Sequence, residues 1–170
     1  MSHAKNKVEW CIRKAEKELK ETGKHRGLVK IKPDKIKAKN HVVKAEHYLK
    51  ATEYLNKGNF SDISASTVFY SMYHCLLAIA AKAGYKSGNQ ECTFALIYNL
   101  IEEKKIDFPQ EILNKIASLE IKERAEEKTT TEIREQYQYG TALSIKDNLY
   151  TELVKLAKET MSKTKKIIEE

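Results

Sequence analysis

The chain has 170 residues, 41% of them hydrophobic and 32% charged, which supplies a core and excludes a disordered polymer. With 6 Gly and 2 Pro it has too few turn formers for an all-β sandwich or barrel, so the composition predicts long helices. The formal charge is +7 and all but four of the 31 basic residues are lysine, a surface that favours solubility first and loose attraction to polyanions second.

Val8, Cys11, Ile12, Ala15 and Leu19 fall at i, i+3, i+4, i+7 and i+11 and predict an amphipathic first helix that Gly23 stops. From Gly23 to Asp34 the helical period is lost and Pro33 intervenes. This stretch reads as a basic linker, with a short extended piece where Val29 and Ile31 alternate with lysines. A second helix is predicted over Lys35–Leu55, with Val42, Ala45, Leu49 and Thr52 inward and Gly58 at its end. A third begins at Ser61 or Asp62, either of which suits an N-cap. It has no formally charged residue between Ser64 and Ala81, and a helix apolar on all sides belongs in the middle of a bundle. Gly84 closes it, and Asn89 caps the next, whose stripe is Phe94, Ile97, Leu100 and Ile101. Pro109 suits the first turn of another, with Ile112, Leu113 and Ile116 inward. The charged run KERAEEKTTTE, residues 122–132, reads as a loop or an exposed helix. Glu132–Tyr139 is helical again up to Gly140. Ser144 to Asp147 approximates a capping box that opens a last helix with Leu149, Leu153, Leu156, Thr160 and Ile167 on one face. The organisation expected is an N-terminal helix and basic linker, residues 1–34, packed on a helical bundle of residues 35–170.

Candidate chemistry is sparse. Cys11, Cys75 and Cys92 are an odd set without C-x-x-C spacing, so no disulfide framework or zinc site is expected, and buried reduced thiols are. The opening MSHAKNKVEWC has no signal-peptide pattern, and the longest apolar run, around Cys75–Ala81, is well short of the ~20 residues of a membrane span. A cytoplasmic protein with no membrane partner is expected. Neither G-x-G-x-x-G nor a Walker glycine loop occurs, no two histidines stand at i, i+4, and His41 and His47 point to different sides of their helix. No metal and no cofactor are therefore expected. His74 is expected to be a core histidine bonded to a carbonyl or to Tyr70, and Tyr70 and Tyr73 are expected in the core with their hydroxyls tied down near the bundle surface. Residues 1–60 carry 16 basic and 7 acidic side chains, which places the positive charge in the N-terminal third. Within it Lys20, Lys24, His25, Arg26, Lys30 and Lys32 form the best polyanion candidate, without the interleaved aromatics that base readout uses. Tyr137 and Tyr139 end a helix beside Arg134; rings near an arginine are suited to stacking bases and holding phosphate, but spacing alone favours ordinary packing with a helix-end salt bridge.

Three stretches together resemble a known family: the amphipathic AEHYLKATEYLNKGNFSD (45–62), the aromatic-small SASTVFYSMYHCLLAIAAKAG (64–84) and REQYQYG (134–140). In this order they are similar to the HEPN domain, the "higher eukaryotes and prokaryotes nucleotide-binding" helical family, over roughly residue 35 to the C-terminus. The first helix and linker resemble an extension of archaeal members. The resemblance implies an all-α, up-and-down antiparallel helical bundle, a two-fold homodimer through the face bearing the later motif, and a nucleotidyltransferase as a possible partner protein in a toxin–antitoxin pair. Catalytic members are metal-independent ribonucleases in which an arginine is followed, after four to six intervening residues, by a histidine. Here Tyr139 stands at the fifth position after Arg134, and a phenol, titrating near pH ~10, is a poor general base. The segment looks more like the family's Arg-x-x-Ala-Asp-Tyr pattern, with Tyr137 and Gln138 in the Ala and Asp places. The expectation is a non-catalytic nucleotide- or RNA-binding module with Arg134, Gln138 and Tyr139 at a shared groove and no catalytic residue. The alternatives are a ribonuclease toxin with an altered site, or a purely structural subunit for a nucleotidyltransferase.

Overall fold

A computed structural model describes residues 2–117 and 128–170. In chain order they form α1 (His3–Thr22), β1 (Leu28–Lys30), α2 (Lys35–Lys57), α3 (Ser61–Lys82), β2 (Tyr85–Ser87), α4 (Gln90–Glu102), α5 (Gln110–Ile116), α6 (Thr130–Tyr139) and α7 (Asp147–Glu169). The all-α expectation holds, with one small strand pair added.

The uncharged helix is the axle. Phe69, Met72, Leu76 and Ile79 of α3 are fully buried, and α2, α4, α6 and α7 all pack on it. By length and composition α3 is apolar enough to cross a membrane, but 61% of its most apolar window is buried inside the fold, as a central bundle helix requires. Its neighbours alternate in direction. Glu46 and Glu53 of α2 pair with Lys165 and Lys158 of α7 at 2.6 and 3.6 Å, a descending order that makes α2 and α7 antiparallel. Arg134 of α6 lies over Phe69, and beyond α6 the Ile145 N–H donates to Ser61 Oγ at 3.0 Å, so α6 runs antiparallel to α3.

Several stops and starts follow local chemistry. Gly23 ends α1 in the left-handed region at φ 69°, its N–H donating to the Leu19 carbonyl. Asn89 caps α4 by accepting the Cys92 N–H at 2.7 Å. Others differ from expectation. Ser61 does not cap α3, because its hydroxyl is taken by Ile145 and Phe60 holds the cap position without a side-chain bond. No box forms at Ser144–Asp147, where Lys146 precedes α7 without a capping bond. The capping box is at α6 instead, where Thr129 Oγ1 accepts the Glu132 N–H and Glu132 accepts the Thr129 N–H at 2.7 Å. That places the end of the charged KERAEEKTTTE run at a helix start, while residues 122–127 of it lie outside the described residues.

The extended piece foreseen in the linker is β1. It pairs antiparallel with β2, Leu28 opposite Ser87 and Lys30 opposite Tyr85. Gly27 lets the linker lie on α1, since a Cβ there would stand 2.1 Å from the Cys11 carbonyl oxygen. Gly84, at φ 83°, makes the turn that presents its carbonyl to the Ile31 N–H at 2.8 Å.

The reduced-thiol expectation is overturned for two of the three cysteines. Cys11 and Cys92 form a disulfide, with Cα atoms 5.9 Å apart and both residues fully buried. The inward stripe of α1 faces the first turn of α4, and the two sulfurs meet there. Cys75 remains a buried thiol, pushed up to about 12 by desolvation.

Candidate functional site

The three residues singled out after α5 do not converge. Arg134 is buried on the α3 side of α6, its guanidinium 4.8 Å from the Phe69 ring centroid and its NH2 group 3.1 Å from Glu135 within the same chain. Its Nε–H is buried with no acceptor among the described residues. Tyr139 is 77% exposed and Gln138 is exposed too. Five residues along an α-helix turn the side chain by about 140°, so Arg134 and Tyr139 look in different directions and form no arginine–phenol pair. A buried cation with one partly exposed carboxylate partner is held chiefly by packing and the ring face.

The open site on α6 is on its other flank. A cleft of about 610 Å³ runs between the end of α5, α6 and the first half of α7, within the range of small-ligand sites. Its floor is Ile133, Leu149, Leu153 and Leu156, and Tyr137 contributes a half-buried ring. Lys115, Lys128 and Lys155 reach it from three separate elements, and Glu152 and Glu159 line it from α7. Lys128 is steered by Gln136, whose side-chain oxygen accepts from Nζ at 2.7 Å. Thr130 is fixed at the mouth by donating to the Lys115 carbonyl at 2.9 Å. The arrangement suits a planar, anionic ligand, with amines for phosphates, a ring for stacking and carboxylates for ribose hydroxyls or base amino groups. Sequence reading singled out Tyr137 beside Arg134 but not the lysines: Lys115 and Lys155 sit on helices predicted only for their apolar stripes, and Lys128 lies in the charged run before α6.

The N-terminal basic run is dispersed. Lys20, Lys24, Arg26, Lys30 and Lys32 are exposed and His25 is half-buried. They spread from the last turn of α1 through both ends of β1, and the Glu18 carboxylate, accepting the Arg26 N–H at 2.6 Å, adds negative charge there.

A second polar cluster was not foreseen. His41 of α2 and His74 of α3 meet with Nδ1 atoms 3.0 Å apart, so one imidazole donates to the other. Tyr48 stacks on His74 with centroids 5.4 Å apart, and Tyr70 lies 5.6 Å from Tyr48. Among the described residues His74 therefore bonds His41, and neither a carbonyl nor Tyr70. Desolvation and the neighbouring His41 push His74 down to about 4, and desolvation with Lys37 lowers His41. Depressed folded-state values mean that the unfolded chain binds more protons below pH 6.5. Stability is therefore complete above that pH and falls as pH drops from 6.5 towards 4. Allowing for solvent screening at this half-exposed seam, the expected loss is about 1–2 kcal/mol. Urea midpoints at pH 7 and pH 4.5 read it, and His74→Gln is expected to flatten much of the acid limb.

Among the described residues no group of three or more His, Cys, Asp or Glu side chains is placed to hold a metal ion. No protein-family model matches the chain, and no curated protein matches it.

Proposed function

We propose that the chain is a non-catalytic binding module of the HEPN type that holds a nucleotide or a short single-stranded RNA in the α5–α7 cleft. The observation that carries this reading is the convergence of Lys115, Lys128 and Lys155 from three elements on one apolar-floored cleft beside Tyr137. The non-catalytic part is supported by Arg134, which is turned into its own core, and by Tyr139, which points away from it. Arg134 then serves the scaffold and Tyr139 the surface. We place the protein in the cytoplasm of a heat-adapted cell. A lysine- and glutamate-rich composition fits that setting, and intracellular disulfides are common in hyperthermophiles.

A labelled oligoribonucleotide and ATP, each titrated at low salt, test the cleft. Lys128→Ala and Lys155→Ala are expected to weaken binding about tenfold together, each lost charge-assisted contact contributing roughly 0.5–1 kcal/mol at an exposed site. Absence of binding by both ligands at low salt sinks the reading.

A second role, as an interaction subunit that pairs with itself or with a nucleotidyltransferase, is favoured by the pole where α2 and α6 end and α3 begins. Tyr54, Phe60, Ile63, Tyr139 and Leu143 are all exposed there, a concentration of apolar side chains that marks contact surfaces. Light scattering on the wild type and on Phe60→Ser with Leu143→Ser reads the homodimer: a dimer that falls apart in the variant supports it, and a monomeric wild type removes it.

A further inference from the structure

We infer that His41 and His74 form a two-imidazole site for a transition-metal dication of tetragonal preference, Cu²⁺ first, which clips α2 to α3 with water in the remaining positions. Imidazole suits copper, nickel and zinc, and copper binds nitrogen donors most tightly of the divalent series. Two cis ligands at about 2.0–2.1 Å from a metal stand roughly 2.9 Å apart, and the two Nδ1 atoms are already 3.0 Å apart. Their present contact uses one Nδ1–H as donor. Moving that hydrogen to Nε2 of the same ring leaves both Nδ1 lone pairs free, with no net proton released.

The rings are held for this. His41 and His74 come from the two helices that pack most closely, their planes are tilted by 33°, and Tyr48 stacks on the outer face of His74. Each ring turns about its Cβ–Cγ bond to aim its lone pair at a common point, and the half-exposed seam leaves a side open for water ligands. Burial and the lysine charges keep both rings unprotonated at neutral pH, so the metal displaces no proton there. Lys37 and Lys44 also oppose a cation, which sets the expected dissociation constant on the order of micromolar rather than tighter. The site stands apart from the α5–α7 cleft and does not depend on its ligand.

The test is a Cu²⁺ titration at pH 7 in the full chain carrying His3→Ala, because a histidine near the start of the chain is an independent copper ligand. One equivalent is expected to bind and raise the unfolding temperature, with two-nitrogen splitting in the electron paramagnetic resonance spectrum. Adding His41→Ala or His74→Ala is expected to weaken binding at least tenfold. Equal binding in these variants overturns the site. So does a wild-type-seam spectrum without two imidazole nitrogens, a readout that holds even if a variant fails to fold.

Discussion

Replacing both Cys11 and Cys92 by serine is expected to lower stability by about 4 kcal/mol and the unfolding temperature by about 10–15 °C. The bridge joins residues 81 apart, and closing so long a loop removes much of the unfolded chain's freedom. Its loss also frees α1, whose buried Val8, Cys11 and Ala15 otherwise face α4 and the Gly27 linker. Buried serine hydroxyls in place of sulfur add a desolvation cost. Thiol counting under denaturing conditions checks the chemistry independently: one free thiol, Cys75, is expected before reduction and three after. Three before reduction would remove the bridge from the account.

Phe69→Ala is expected to be nearly as costly, about 3–5 kcal/mol. Phe69 is fully buried, stacks on Tyr73 and meets Tyr70 edge-on. It is also the ring beneath Arg134, so the substitution opens a cavity and strips a buried cation of its main non-polar support. Phe69→Leu keeps most of the volume and is expected to cost about 1–2 kcal/mol. Arg134→Met is expected to change stability by about 1 kcal/mol or less, because an apolar side chain of similar length avoids the cost of a buried, half-satisfied guanidinium. Chemical denaturation of the three variants separates these effects. A large loss in Arg134→Met with little in Phe69→Ala would reverse this ranking and make the guanidinium, not the ring, the main support of this part of the core.

How much of this was legible depended on whether a signal is local. The charge-free run of α3 announces a central helix by itself, and the stripes Val8–Cys11–Ala15 and Leu153–Thr160–Ile167 name inward faces that are buried in the fold. Gly23, Gly58, Asn89 and Gly140 mark ends because capping is decided within a turn. What failed was decided across the chain. Ser61 has the chemistry of a cap, but Ile145, 84 residues away, claims its hydroxyl. Cys11 and Cys92 each sit on an ordinary apolar stripe, and nothing in their spacing says that the stripes face each other. His41 and His74 meet only because α2 and α3 pack side by side, 33 residues apart. The cleft lysines were hidden for the same reason. Each looks like a solvated residue of its own segment, Lys115 and Lys155 on helices and Lys128 just before α6, and only the convergence of α5, α6 and α7 makes them a group. Arg134 shows the opposite error, a residue conspicuous in the sequence whose side chain turns inward.

The most direct test of ligand binding at the α5–α7 cleft is the salt dependence of single-stranded RNA affinity. Three amines on phosphate predict a log–log slope of about −2, and removing Lys128 and Lys155 together is expected to bring it to about −0.7. A slope and affinity left unchanged by those substitutions, in a variant that stays folded, would contradict the account.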